Sequence, residues 1–286
     1  MEFNWQNLYI SKRPSKTKQC LGKEMDIQIL ASDEPSPVHI INENSQNSFL
    51  FLCDHATSFI PRSRNNLGVD DHHLERHVAY DIGIKAVTEI VANHFKSRAI
   101  FSNFSRLLVD PNRKLDNPGL MPEISDGCHV PANMNMTPEE REARLKTFYW
   151  PYQNKISSTI DDMVKTGEVP IIISMHSMTH EMDGEPRPWP VCVLWNYDPR
   201  IPLPLIESFK NRGFECGDNV PYTGRDGHGG TMDLQVNPRG LPNALIEVRQ
   251  DLISSAEGIA EWAANLIEAF EDVLHCPTLK EIRHYA

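Results

Sequence analysis

Positive charge is scarce in this sequence: 28 Lys and Arg stand against 39 Asp and Glu over 286 residues, a formal net charge of −11. An acidic surface of that kind repels phosphate backbones and anionic lipid heads, which excludes nucleic-acid binding and membrane-surface attachment as main roles. Long apolar runs are missing too. No stretch of about 18 apolar residues could cross a bilayer, and the opening MEFNWQNLYISKRPSKTKQC lacks the apolar core of a signal peptide, so the expected compartment is the cytoplasm. The six cysteines are scattered and form no C-x-x-C pair, which argues against a disulfide scaffold or a Cys-rich zinc finger. Cys53, Cys192 and Cys276 are expected as packing residues. Internal repeats and low-complexity tracts are absent. What is present is 40% hydrophobic residues, enough to bury a substantial core.

The first 45 residues are polar, carry Pro14, Pro35 and Pro37, and show only a weak apolar stretch at 27–30. They read as a leader that adds at most an edge strand, ahead of a single domain over 46–286. Residues 48–53 (SFLFLC) form a short apolar run, the mark of a strand buried on both faces. From Leu74 to Phe95 apolar positions recur at helical spacing, and 99–104 with 107–109 then reads as extended chain. A second helix is expected to start at Thr137, with Pro138 at its first position and Glu140 completing a capping box. Its stripe is Leu145, Phe148, Tyr152, Ile156, Ile160 and Met163, with a kink at Pro151. Further buried strands are read at 170–175, 191–195 and 243–248, and helices at 203–211 and 256–274. Alternating strands and helices imply an α/β fold, a mixed, largely parallel sheet covered on both faces. Two long irregular segments, 112–136 and 217–241, exceed what a simple connection needs.

In open α/β sheets ligands sit beyond the carboxyl ends of the strands. His55 comes directly after the first apolar run and His176 leaves the run PIIIS. Either alone reads first as a hydrogen-bonded loop or core histidine, but two in the same setting suit a zinc ion, which at a catalytic site takes about three protein ligands and leaves a position for water. Asp81 is the candidate for the third ligand; its alternative is to cap the next helix. His73 and His77 belong to a highly charged segment and read as a solvated face. His176 and His180 lack the Glu of a zincin motif. Glu247 stands in an otherwise apolar strand, where an unpaired carboxylate is costly. It is either the ion-pair partner of Arg249 or a general base acting on water. Arg106, Arg113 and Arg187, in SRLLVDPNR and GEPRPW, would supply local positive charge for an anionic substrate.

Cys53-Asp54-His55-Ala56, HVAYDIG at 77–83, SRLLVDPNR at 105–113, MHSM at 175–178 with GEPRPW at 184–189, DNVPY at 218–222 and LIEVRQDLI at 245–253 together resemble the N-formylglutamate amidohydrolase family. The resemblance implies a zinc-dependent hydrolase of carboxypeptidase-like α/β fold that cleaves N-formyl-L-glutamate to formate and glutamate. It implies His55 and His176 as metal ligands with one Zn2+ per chain, and Glu247 as the catalytic glutamate. Asn112 and Arg113 become the pair that holds a substrate carboxylate, and Arg106 and Arg187 further anion contacts. The chain departs from the pattern in two places. His55 lacks the downstream H-x-x-E glutamate of carboxypeptidases, which leaves Asp81 as the expected second ligand, and Asp-His-Ala-Thr stands where histidine-degradation members carry Pro-His-Ser-Gly. The expected partner is a small anionic N-acyl amino acid, and the expected assembly a monomer or homodimer. The rival readings are a deacylase or carboxypeptidase for another N-acyl amino acid or short peptide, and a non-catalytic carboxylate sensor.

Overall fold

Four apolar strands set the frame: β2 (Phe49–Cys53), β3 (Arg98–Ser102), β4 (Ile171–Met178) and β7 (Asn243–Arg249) run parallel at the centre of a seven-stranded sheet. The computed structural model describes residues 27–225 and 230–285. β1 (Val38–Ile41) pairs antiparallel with β3 at one edge. At the other edge β5 (Val191–Leu194) runs antiparallel to β7, and β6 (Cys216–Asp218) extends β5 in parallel, so the order is β1-β3-β2-β4-β7-β5-β6. The mixed, mostly parallel α/β sheet read from the sequence is the observed one.

Side chains alternate across each strand, and the sequence sorts them between two cores. On one face Phe49, Phe51, Ile171, Ile173, Ala244 and Ile246 pack under α1 (Ile84–His94), α4 (Pro202–Asn211) and α5 (Ala256–Val273). On the other, Leu50, Leu52 and Ile172 meet Tyr152, Ile156 and Ile160 of α3 (Trp150–Lys165). Among the described residues no α-helix covers this second face over β5 and the end of β7. Met178, Cys192 and Leu194 form a small separate cluster there, and a cleft opens beside it.

Several expectations need correction. The edge strand of the leader is Val38–Ile41, while Ile29 of the 27–30 stretch is buried in the second core. The helix expected from Leu74 to Phe95 is one turn, Asp71–Leu74, then a series of turns, then α1. The break falls at Gly83, whose φ is +78° and where a Cβ would stand 2.1 Å from the Ile253 carbonyl oxygen, so only glycine fits. Leu107, Leu108 and Val109 are buried in turns, not extended. Thr137 caps α2 (Pro138–Arg144) by accepting from the Glu140 N–H at 3.2 Å, but the Glu140 carboxylate does not return to it. It is held by Arg64 and Arg144 instead. Between α2 and α3 the chain makes a π turn, Leu145–Tyr149, just before Pro151, which is the form the expected kink takes. Cys53 and Cys192 are fully buried and Cys276 is half-buried against the first core; Cys20 lies outside the described residues. Among the described residues no helix is long and apolar enough to cross a membrane.

Candidate metal centre and substrate cleft

The sheet brings its polar residues to one place because β2, β4 and β7 are parallel neighbours. His55 lies just past the end of β2, His176 lies late in β4, and Glu247 is its register partner on β7. Asp81 arrives from the turns before α1, fixed by its backbone N–H donating to the His55 carbonyl at 2.9 Å. One Asp81 oxygen, Oδ2, lies 3.3 Å from His55 Nδ1 and 2.9 Å from His176 Nδ1. All three residues are buried, and their ligand atoms fall within 4.8 Å of one another. Asp81 does not cap α1: the N-cap is Gly83, without a side-chain cap bond.

The second nitrogen of each imidazole is also held. His55 Nε2 is 2.7 Å from Asp110 Oδ1, and His176 Nε2 is 3.3 Å from Asp54 Oδ2 and 3.0 Å from Ser174 Oγ. A carboxylate behind each histidine is the arrangement that orients metal-binding imidazoles and raises their basicity. Asp54 is itself saturated, accepting from Tyr152 Oη at 2.9 Å and Thr231 Oγ1 at 2.8 Å. Asp110 Oδ2 accepts from Arg106 Nε and Nη2, and Arg106 Nη1 reaches Asp81 Oδ1 at 3.4 Å.

Charge tests whether a cation fits. Asp54, Asp81, Asp110 and Glu247 are set against the Arg106 guanidinium, so the centre lacks positive charge. Burial works to raise the Asp81 and Asp110 carboxyls, but His55 and its neighbours hold both well below the usual range. Burial likewise opposes a charged His176, yet its bonds to Asp54 and Asp81 push it up to about 10. A divalent cation at the three facing atoms would supply the missing positive charge, so the donor set fits zinc. Glu247 differs from the aspartates. Burial pushes its carboxyl up to about 7. Among the described residues it makes no ion pair, because Arg249 turns to Asp251.

Every candidate residue read from the sequence lines a single cleft of about 880 Å3. Asn112 Oδ1 accepts from the Gly230 and Thr231 backbones at 3.1 and 3.2 Å, which docks these two residues on the Asn112-Arg113 turn. A Cβ on Gly230 would lie 2.5 Å from the Arg113 nitrogen, so this approach requires glycine. Arg187 has a different kind of environment. Like Arg144 and Arg200 it is buried, but those two pair with Glu140 and Asp198, whereas among the described residues the Arg187 guanidinium bonds to neutral groups: Thr179 Oγ1 at 3.2 Å, Met182 Sδ at 3.1 Å and Tyr222 Oη at 2.6 Å.

A model of the N-formylglutamate amidohydrolase family matches residues 47–254. The chain belongs to that family. It is similar in fold and sequence to a gene product of Agrobacterium tumefaciens of known crystal structure, with a TM-score of 0.84 and 29% identity over 86% of this chain and 98% of that one. It also shares the fold of the N-formylglutamate amidohydrolase from Ralstonia eutropha JMP134, with a TM-score of 0.65 and 16% identity over 85% of this chain and 98% of that one. No curated protein matches the chain. The residues behind the ligands have no role that sequence alone suggests. Asp54 and Asp110 are visible there only as acids near His55 and Arg113, Tyr152 only as one of an apolar stripe and Tyr222 only as the end of DNVPY, while Ser174 and Thr231 give no signal.

Proposed function

We propose that this member of the family is a zinc-dependent amidohydrolase that removes the N-acyl group of an acidic amino acid such as N-formyl-L-glutamate. The observation that carries the reading is the convergence of His55, Asp81 and His176 beside Glu247, in the same cleft as the buried Arg187; among the described residues neither Glu247 nor Arg187 has an ion-pair partner. His55, Asp81 and His176 would hold the ion. When bound, zinc supplies Lewis acidity toward the acyl carbonyl and lowers the pKa of water to about 7.

The chain's own residues supply the rest. Glu247 takes a proton from the attacking water as the new C–O bond forms, and returns it to the leaving nitrogen as the C–N bond breaks. Arg106, anchored by Asp110 and Asp81, turns its positive charge toward the developing charge on the acyl oxygen. Arg113 and Asn112 hold the α-carboxylate, and Arg187 takes a further anionic group. Asp54 and Asp110 keep both imidazoles turned toward the ion. The test is Glu247→Gln: turnover of N-formyl-L-glutamate disappears while zinc remains at one per chain. Wild-type turnover in that variant would defeat the assignment of the base.

A further inference from the structure

The reading as an N-acyl amino acid hydrolase leaves the acyl group open, and the cleft speaks to it. Beyond its carbonyl carbon a formyl group carries only a hydrogen. The cleft continues well past that point. Glu247, Leu245 and Asn243 alternate on one face of β7 and all line it; at the usual rise of a strand, Asn243 lies about 13 Å from Glu247. Between them Leu245 is the register partner of Leu194 on β5, and both line the cleft. With Met178, Cys192 and Trp189 they make up the apolar cluster that stands apart from the two main cores. The cleft volume of about 880 Å3 falls in the upper part of the range, roughly 300–1,000 Å3, that encloses drug-sized ligands.

An acidic amino acid has two carboxylates, and the cleft offers two cationic positions for them, Arg113 beside Asn112 and Arg187 beside Tyr222. Neither carboxylate has use for an apolar strip. We propose that the strip of Leu194 and Leu245 receives the acyl side, and that the preferred substrate is an N-alkanoyl acidic amino acid with an extended chain, not the N-formyl compound. Water adds to the acyl carbon, the C–N bond breaks, and the products are an alkanoate and the free amino acid, whose nitrogen takes the proton.

The experiment measures kcat/KM of the zinc-loaded full chain on N-formyl-, N-acetyl-, N-butanoyl- and N-hexanoyl-L-glutamate. The expected result is a rise of about threefold or more per methylene through hexanoyl. Leu245→Asn and Leu194→Ala should each flatten that slope, and either variant alone suffices if the other does not fold. A maximum at formyl would overturn the inference and leave the hydrolase reading standing. If no acyl glutamate is cleaved, the hydrolase reading fails. Calorimetry on the same protein then decides the strip: N-hexanoyl-L-glutamate should bind more tightly than the formyl compound, and equal affinities overturn the inference.

Discussion

On one face of the sheet the strands present Phe49, Phe51, Ile171, Ile173, Ala244 and Ile246 to three helices; on the other, beside the core under α3, they present Ser174, His176 and Glu247 to the cleft. The first face gains stability from apolar area and needs no particular polar contact. The second keeps Asp54, Asp81, Asp110 and Arg187 out of water, and each such group costs free energy unless paired or bonded to a cation. Apolar packing supports both faces, through Leu50, Leu52 and Ile172 under α3 on the second as well, while the candidate site occupies only the part of the second face beside that core. A residue can be assigned to one side or the other by what its loss does.

The largest separation is expected from Asp81→Asn, which removes the charge shared by both imidazoles. Zinc binding and turnover should fall below detection, while the metal-free protein loses only part of its stability, since the amide still bonds to the imidazoles and these can shed their protons; metal analysis and thermal denaturation read the two separately. Phe51→Ala should do the reverse. A fully buried phenylalanine costs about 3–5 kcal/mol when truncated, so denaturant midpoints should drop while the folded fraction binds zinc normally. Asp54→Asn sits between them: zinc affinity, measured by competition with a chelator, should weaken roughly ten- to hundredfold, with the fold retained. The smallest expected effect is on the stability of Arg187→Met. Losing a buried charge that has no carboxylate partner among the described residues should leave the melting temperature equal or raise it by a few degrees, while KM for the acyl amino acid rises roughly tenfold or more. A melting temperature far below the parent would mean that Arg187 belongs with the first face.

The division explains what the sequence discloses. The strands are readable because uninterrupted apolar runs such as SFLFLC and PIII have few other uses, and the polar residues that interrupt or end them point to His55, His176 and Glu247. The turns before α1 are not readable, because the apolar spacing of Val78 and Ile82 continues the helical pattern while Gly83 and the Ile253 carbonyl forbid it. The support behind the ligands is hidden for another reason. Thr231 bonds to Asp54 from 177 positions away and Ser174 from 120, and a lone Thr or Ser carries no pattern that reveals such a partner. Glu140 misleads in the same way: its spacing from Thr137 promises a local cap, and two arginines hold it elsewhere.

The π turn at Leu145–Tyr149 has a consequence for helical phase. Phe148, Tyr152, Ile156 and Ile160 recur every four residues, and on a regular α-helix such a row drifts by about 40° per step around the axis. The wider turn at its start offsets part of that drift. It keeps Tyr149 facing the Arg113 carbonyl at 3.0 Å and Tyr152 facing Asp54 at 2.9 Å. Deleting one residue from the turn would restore an ordinary helix and rotate α2 by about 100° relative to α3. The helix would survive, but Arg144 of α2 could no longer reach Leu108 and Asn133 while Tyr152 of α3 faces Asp54.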